Sequence, residues 1–221
     1  MSSEPINVLV VDDHAVVREG IRHVLSESAG FNIVGEAANG AEALSLAESL
    51  EPEVVLLDIT MPAESGLEVA AKLRKLVPTS RILILSMHDQ SEYLLQAVRV
   101  GASGYVLKDT DPAELRDAVR TVNAGGGYFS PDVASRLSAA LRGELEQEQQ
   151  RGRLDLLTSR ERDVLKLVAD GRTSKEIGAD LGISPRTVET HRESIVRKLR
   201  IKSVAGLTRF AMESGLVEDQ A

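Results

Sequence analysis

Short apolar runs that end on a polar residue recur through the first half of this chain, and amphipathic stretches separate them. Val8-Leu9-Val10-Val11 ends at Asp12-Asp13, Val54-Val55-Leu56-Leu57 at Asp58, Arg81–Leu85 at Ser86, and Gly104–Leu107 at Lys108. Phe31–Ala37 reads as a fifth strand. Between the strands, Val17, Ile21, Val24 and Leu25 share one helical face, and residues 41–50, 67–76 and 92–100 follow the same period. Asp111-Pro112-Ala113-Glu114 opens a fifth helix, with an N-cap, proline at the first helical position and glutamate at the third. Nearly continuous apolar strands between amphipathic helices require a parallel sheet covered on both faces. Right-handed crossovers then make it α/β, a doubly wound five-stranded parallel sheet.

After Gly125-Gly126-Gly127 the pattern changes. Residues 131–150 carry Val133, Leu137, Leu141 and Leu145 four apart, an amphipathic linker helix with a charged, Gln-rich end. Its apolar face has to pack on something. Beyond it there are only helical signals. Thr158-x-x-Glu161 and Thr173-x-x-Glu176 are capping boxes, Ser184-Pro185 is an N-cap followed by proline, and Ser203 opens a last helix that stops near Gly215. The expected division is 1–127 for the α/β domain, 128–154 for the linker and 155–221 for an all-α four-helix domain.

Charge follows the same division. Residues 1–130 hold ten Lys/Arg against nineteen Asp/Glu, whereas 156–210 hold twelve against seven, so the overall charge of -8 hides a locally basic second half. Aromatics are 3% of the chain, so aliphatic side chains must fill the cores. The absence of cysteine excludes disulfides and thiolate metal sites. No apolar run reaches the roughly 18 residues a membrane helix needs, and the N-terminus lacks the basic start of a signal peptide. A cytoplasmic protein with no membrane partner is expected.

In a doubly wound sheet, ligands sit at the carboxyl ends of the strands. Those ends here carry Asp12, Asp13, Asp58, Ser86 and Lys108. Three clustered carboxylates repel one another and need a cation, and an all-oxygen set with room for water suits Mg2+. A carboxylate beside such an ion can attack a phosphoryl group, with Lys108 neutralising charge on its oxygens and Ser86 hydrogen-bonding one of them. His14, His23, His88 and His191 are scattered; solvated or structural roles are expected for all four, although His88 would lie near the mouth of this site.

The stretches VVDDH (residues 10–14), LLDITMP (56–62) with Gly66 after it, ILSM (84–87) and GASGYVLKD (101–109) resemble the receiver domain of response regulators over about residues 6–125. The resemblance implies a flavodoxin-like fold, with Asp58 as phospho-acceptor. It also implies Asp13 and Asp58 as direct Mg2+ ligands, the Thr60 main-chain carbonyl as a third, and Asp12 acting through water. Ser86 and Lys108 would sense the phosphate, and Tyr105 matches the aromatic that changes rotamer with the hydroxyl. An aspartyl-phosphate phosphatase would place a second acid two residues after the nucleophile. Thr60 stands there, so no enzyme is expected beyond slow self-dephosphorylation.

In the second half, residues 173–181, a Gly182-Ile183 turn and residues 184–200 form a helix-turn-helix pattern. Val188, Ile195 and Leu199 fall on one face of the second helix, and Arg186, Glu189, Thr190, Glu193 and Arg197 on the other. Arg192 and Lys198 flank that polar face with stems long enough to reach phosphates. Thr173, Ser174 and Lys175 stand at a helix N-terminus, where phosphates are well received. Residues 157–217 resemble the LuxR-type helix-turn-helix, through Glu161, Gly171, Ile177, Ala179, Leu181, Ser184, Thr187, Val188, His191 and Lys198-Leu199. With the receiver, this resembles the NarL/FixJ family. The expected DNA-contacting set is Thr173, Ser174, Lys175, Ser184, Arg186, Thr187, Glu189, Thr190, Arg192, Glu193, Arg197 and Lys198. One departure stands out. Base-reading positions that are lysine in many relatives are Glu189 and Glu193 here.

The resemblance implies a two-component transcription regulator. A histidine kinase would phosphorylate Asp58, the active form would be a homodimer joined through the final helix, and two recognition helices would meet paired half-sites of double-stranded DNA about one turn (~34 Å) apart. A constitutive DNA binder with a vestigial receiver is the alternative, and the full acidic set with Lys108 weighs against it.

Overall fold

The computed structural model describes residues 4–62 and 64–217. The chain forms two compact units, Met1–Ala140 and Leu141–Ala221.

In the first unit, strands β1 (Ile6–Val11), β2 (Phe31–Ala37), β3 (Val54–Asp58), β4 (Arg81–Ser86), β5 (Gly104–Leu107) and β6 (Tyr128–Phe129) alternate with α1 (Ala15–Ser26), α2 (Gly40–Leu50), α3 (Gly66–Leu76), α4 (Ser91–Arg99) and α5 (Pro112–Asn123). The sheet order is β2-β1-β3-β4-β5-β6, and all pairs are parallel. The five expected strands are present. The sixth was not expected, because two residues are too few to carry an alternation. Tyr128 and Phe129 pair with Gly104 and Tyr105.

Every strand residue of β3 is buried, as a sheet covered on both faces demands. Strand alternation sorts the core into two layers. Leu9, Val11, Val55, Leu57, Ile82, Ile84 and Tyr105 meet residues of α2, α3 and α4 on one face, and Val8, Val10, Val54, Leu56, Leu83, Leu85 and Val106 meet α1 and α5 on the other. Asp111 caps α5 as expected, its carboxylate accepting from the Ala113 N–H at 2.8 Å, with Pro112 at the helix start.

Helix α6 (Pro131–Leu154) runs four residues past the expected end. The unit boundary falls inside it, so the segment expected as a linker contributes to both units. Val133 is buried in the first unit's core with Leu137 packed beside it, whereas Leu141 and Leu145 are 39% and 57% exposed. The expected apolar face is therefore covered along only part of its length.

The second unit adds α7 (Ser159–Ala169), α8 (Ser174–Leu181), α9 (Pro185–Leu199) and α10 (Val204–Glu213). Both capping boxes form, and Ser184 and Ser203 cap α9 and α10. Val188, Ile195 and Leu199 are buried with Leu165, Ile177 and Phe210. Gly182 ends α8 at φ 65°, a left-handed conformation that glycine adopts without steric cost and that turns the chain sharply into α9. Residues 218–221, the expected end of this domain, lie outside the described residues. No described helix is long and apolar enough to cross a membrane.

Candidate functional site

Strand order decides where the polar strand ends meet. β1 lies between β2 and β3, so the chain turns one way from β1 to β2 and the other way from β3 onwards. That reversal opens a crevice at the carboxyl ends of β1 and β3. Asp12 and Asp13 follow β1, and Asp58 is the last residue of β3. Asp12 and Asp58 are almost wholly buried. Lys108 Nζ, just past β5, lies 2.7 Å from Asp12 Oδ2 and 2.8 Å from Asp58 Oδ2. One ammonium thus holds two carboxylates together.

Desolvation dominates at Asp58 and pushes its carboxyl above the usual carboxylate range, against the Lys108 hydrogen bond and the Thr60 N–H, which donates to Oδ1 at 3.2 Å. Burial opposes the Lys108 ammonium, but its bonds to Asp12 and Asp58 outweigh that and hold its proton more tightly than usual. Gly66, at the start of α3, makes this packing possible. A Cβ there would lie 1.8 Å from the Asp58 carbonyl oxygen, and the Gly66 N–H donates to the Ile59 carbonyl at 2.8 Å.

Carboxylate oxygens of Asp12, Asp13 and Asp58 lie within 4.8 Å of one another, and His14 shares that radius. Such an oxygen-rich set fits a hard divalent cation. A solvated or structural role was expected for His14. Its Nδ1 lies 2.8 Å from Asp13 Oδ1 and 3.4 Å from Asp12 Oδ1.

Ser86 and Tyr105 are both fully buried and meet through residue 88. The His88 N–H donates to Ser86 Oγ at 2.9 Å, and the Tyr105 hydroxyl donates to the His88 carbonyl at 2.6 Å. Burial, only partly opposed by a Ser86 hydrogen bond, raises the Tyr105 phenol to about 12. The His88 ring stacks on Tyr93, with centroids 4.7 Å apart. Of the expected receiver residues, the structure brings Asp12, Asp13, Asp58, Thr60 and Lys108 to one crevice, and it joins Ser86 and Tyr105 next to it.

In the helical unit, α8, the Gly182 turn and α9 form the two-helix pattern. Arg186, Thr187, Glu189, Thr190, Glu193 and Arg197 are exposed along α9, opposite its buried face. Several expected contact residues already hold each other. Ser184 Oγ accepts from the Thr187 N–H at 3.1 Å. Thr173 Oγ1 donates to Glu176 at 2.7 Å. Ser174 Oγ donates to Glu189 and accepts from Arg192 Nη1 at 3.2 Å. Lys175 is exposed. Lys198 is the most constrained, its Nζ lying 2.6 Å from Glu161 Oε2.

Glu161 is the residue whose reach sequence reasoning missed. Its local role was legible as the second half of a capping box, yet it is buried and bonded to α9 as well. Its Oε1 accepts from Ser194 Oγ at 2.6 Å, and its Oε2 from Lys198 and Thr158. Desolvation opposes its charge, but Lys198, Ser194 and Thr158 together lower its pKa to about 2.

Comparison with known proteins agrees with this two-part layout. The model of the response regulator receiver domain matches residues 8–120, and that of the bacterial regulatory proteins of the luxR family matches residues 155–211. This chain is a response regulator of the NarL/FixJ family. The regulator is 41% identical over 218 residues to the transcriptional regulatory protein MctR of Rhizobium johnstonii, covering 98% of each chain. It is 37% identical to the nitrate/nitrite response regulator protein NarL of Escherichia coli, over 91% of this chain and 93% of that one. Among solved structures, the RcsB response regulator–DNA complex is 25% identical with a TM-score of 0.57, covering 95% of this chain and 99% of that one. The regulator is therefore a two-component protein with a receiver and a LuxR-type DNA-binding domain that regulates transcription.

Proposed function

We propose that Asp58 accepts a phosphoryl group from a histidine kinase and that this modification controls dimerisation and sequence-specific DNA binding. The observation that carries this reading is the Lys108 ammonium shared by Asp58 and Asp12 at the sheet's switch point. In the transfer, an Asp58 oxygen forms the new P–O bond. The P–N bond of the donor phosphohistidine breaks, and its imidazole leaves with the electron pair. Lys108, already beside Asp58, offsets charge on the transferred oxygens, and the buried Ser86 hydroxyl supplies a hydrogen bond to one of them.

Asp13, Asp58 and the Thr60 main-chain carbonyl would hold Mg2+, with Asp12 acting through water; the ion would supply positive charge to the phosphoryl oxygens. The acyl phosphate carries about -1.5 to -2 charge, by analogy with other phosphorylated side chains, in place of the single charge of the carboxylate. If Ser86 turns to it, the His88–Tyr105 link next to Ser86 is the first contact to rearrange. Thr60, two residues past Asp58, is no general acid, so slow self-dephosphorylation is the only turnover expected. The active form is a homodimer acting on paired half-sites in the cytoplasm, with double-stranded DNA as the partner of α8 and α9.

The test compares sedimentation and DNA binding of the intact chain with and without Mg2+ and beryllofluoride, beside Asp58→Ala. Wild type alone should shift to dimer and bind DNA more tightly. A response of neither protein, or of both, overturns the reading.

A further inference from the structure

The exposed face of α9 carries carboxylates where attraction to phosphates would favour cations. Glu189 and Glu193 stand one turn apart on it, among Arg186, Thr190 and Arg197. A carboxylate facing DNA opposes the electrostatic attraction that drives binding at every sequence. It improves binding only where a particular base supplies a donor to it.

Glu189 is held for such a role. The Ser174 hydroxyl, in the first turn of α8, donates to Glu189 Oε1, and the same hydroxyl accepts from Arg192 Nη1 at 3.2 Å. Arg192, Ser174 and Glu189 thus form a relay between the two helices of the motif. The relay fixes one carboxylate oxygen and leaves the group its second oxygen. A side chain ordered before binding loses less freedom on binding. Glu189 is also the fifth residue of α9, in the N-terminal part of a recognition helix, which is where such helices meet base edges.

A carboxylate only accepts hydrogen bonds. The donors in the major groove are the cytosine N4 and adenine N6 amino groups. Adenine sets its N7 acceptor beside that donor, where it would repel a carboxylate, while cytosine has no acceptor on that side. Resting on the DNA-binding role proposed above, we infer that Glu189 is a specificity-determining residue that selects a cytosine in each half-site by accepting from its N4 amino group. Ser174 is its positioning residue.

The experiment uses the full chain with Mg2+ and beryllofluoride. Sites are selected from random duplex DNA, and affinities are then measured at one salt concentration for the enriched site and its single-base variants. For wild type, changing the cytosine·guanine pair to thymine·adenine should weaken binding about 10-fold or more, in the usual range for one lost base contact. Glu189→Ala should bring those two sites to within about 2-fold while the other positions keep their ranking, and Glu189→Gln should move the preference to adenine, whose N6 and N7 suit an amide. Ser174→Ala should reduce the cytosine preference without abolishing it. Circular dichroism should show all three variants folded, because Glu189 is exposed and Ser174 only half-buried. An unchanged base ranking in Glu189→Ala, with tighter binding to every sequence, overturns the assignment and makes Glu189 a plain source of repulsion. No enrichment by activated wild type overturns the DNA-binding reading itself.

Discussion

Arg136, in the second turn of α6, reaches the loop between β4 and α4, where its guanidinium pairs with the Asp89 carboxylate and Nη1 donates to the Asp89 carbonyl at 3.3 Å. Asp89 follows His88, whose backbone joins Ser86 to Tyr105. The helix that continues into the second unit is thus tied, within the first unit, to the loop beside the Asp12–Asp58–Lys108 crevice. Both side chains are about half exposed, so the pair contributes little to global stability. A double-mutant cycle with Arg136→Gln and Asp89→Asn should give a coupling of about 0.2–1 kcal/mol. Hydrogen exchange should quicken in the first turns of α6 while β1 and β3 stay unchanged. Equal exchange in wild type and Arg136→Gln would show that the pair does not order the helix.

Lys108 is shared by two buried carboxylates and offsets part of their charge, and removing it leaves both without their cation. Lys108→Ala should lose about 3–5 kcal/mol of receiver stability at pH 7 in the absence of divalent metal, as expected when one member of a buried ion group is removed. Millimolar Mg2+ should restore part of that loss, because the remaining oxygens favour a cation more strongly. Denaturant titrations of the variant with and without Mg2+ measure both effects; a metal-independent loss would mean that the carboxylate oxygens do not bind the ion.

Glu161 makes the helical unit sensitive to acid. Its folded pKa of about 2 lies below the unfolded carboxyl value of 4.5, so its contribution is complete above about pH 4.5 and is lost as pH falls towards 2. Glu161→Gln should destabilise α7–α10 by about 1–3 kcal/mol at pH 7 through the weakened bonds to Lys198 and Ser194. The gap from wild type should narrow below about pH 3. Hydrogen exchange on α7–α10 across this range follows the unit on its own, and a gap that stays constant with pH would refute the role of the charge.

Burial raises Tyr105 and Tyr128 to about 12. The chain has three tyrosines, so in Tyr93→Phe these two account for all tyrosinate absorbance. That absorbance should rise near pH 12 rather than 10 while the fold persists. For Tyr105 the sign is set by burial of the neutral phenol. The unfolded chain ionises from about pH 10, so stability falls between pH 10 and 12. A rise near pH 10 in folded Tyr93→Phe that persists when Tyr128→Phe is added would place Tyr105 outside the core.

Much of this was legible because its causes are local. The strand ends announce Asp12, Asp58, Ser86 and Lys108 through runs of four or five residues, and the caps at Thr158, Thr173 and Ser184 act over three. What stayed hidden depends on distant partners. Glu161 and Lys198 are 37 positions apart, Asp89 and Arg136 are 47, and no periodicity connects either pair. The β6 strand, two residues long, exists because β5 offers it an edge.

The sequence by itself determined the elements apart from β6, their order, the two-domain plan and the polar residues at the strand ends, since periodicity, capping and strand termination are fixed by neighbours within a turn or a few strand residues. Only the tertiary structure decided which charges meet: that one ammonium serves both Asp12 and Asp58, that Lys198 bonds Glu161, and that Ser174 holds Glu189. The first two pairings follow from burial, since charged groups brought into a low-dielectric interior are stable only where packing of remote segments supplies a partner, and the third follows from the approach of α8 to α9.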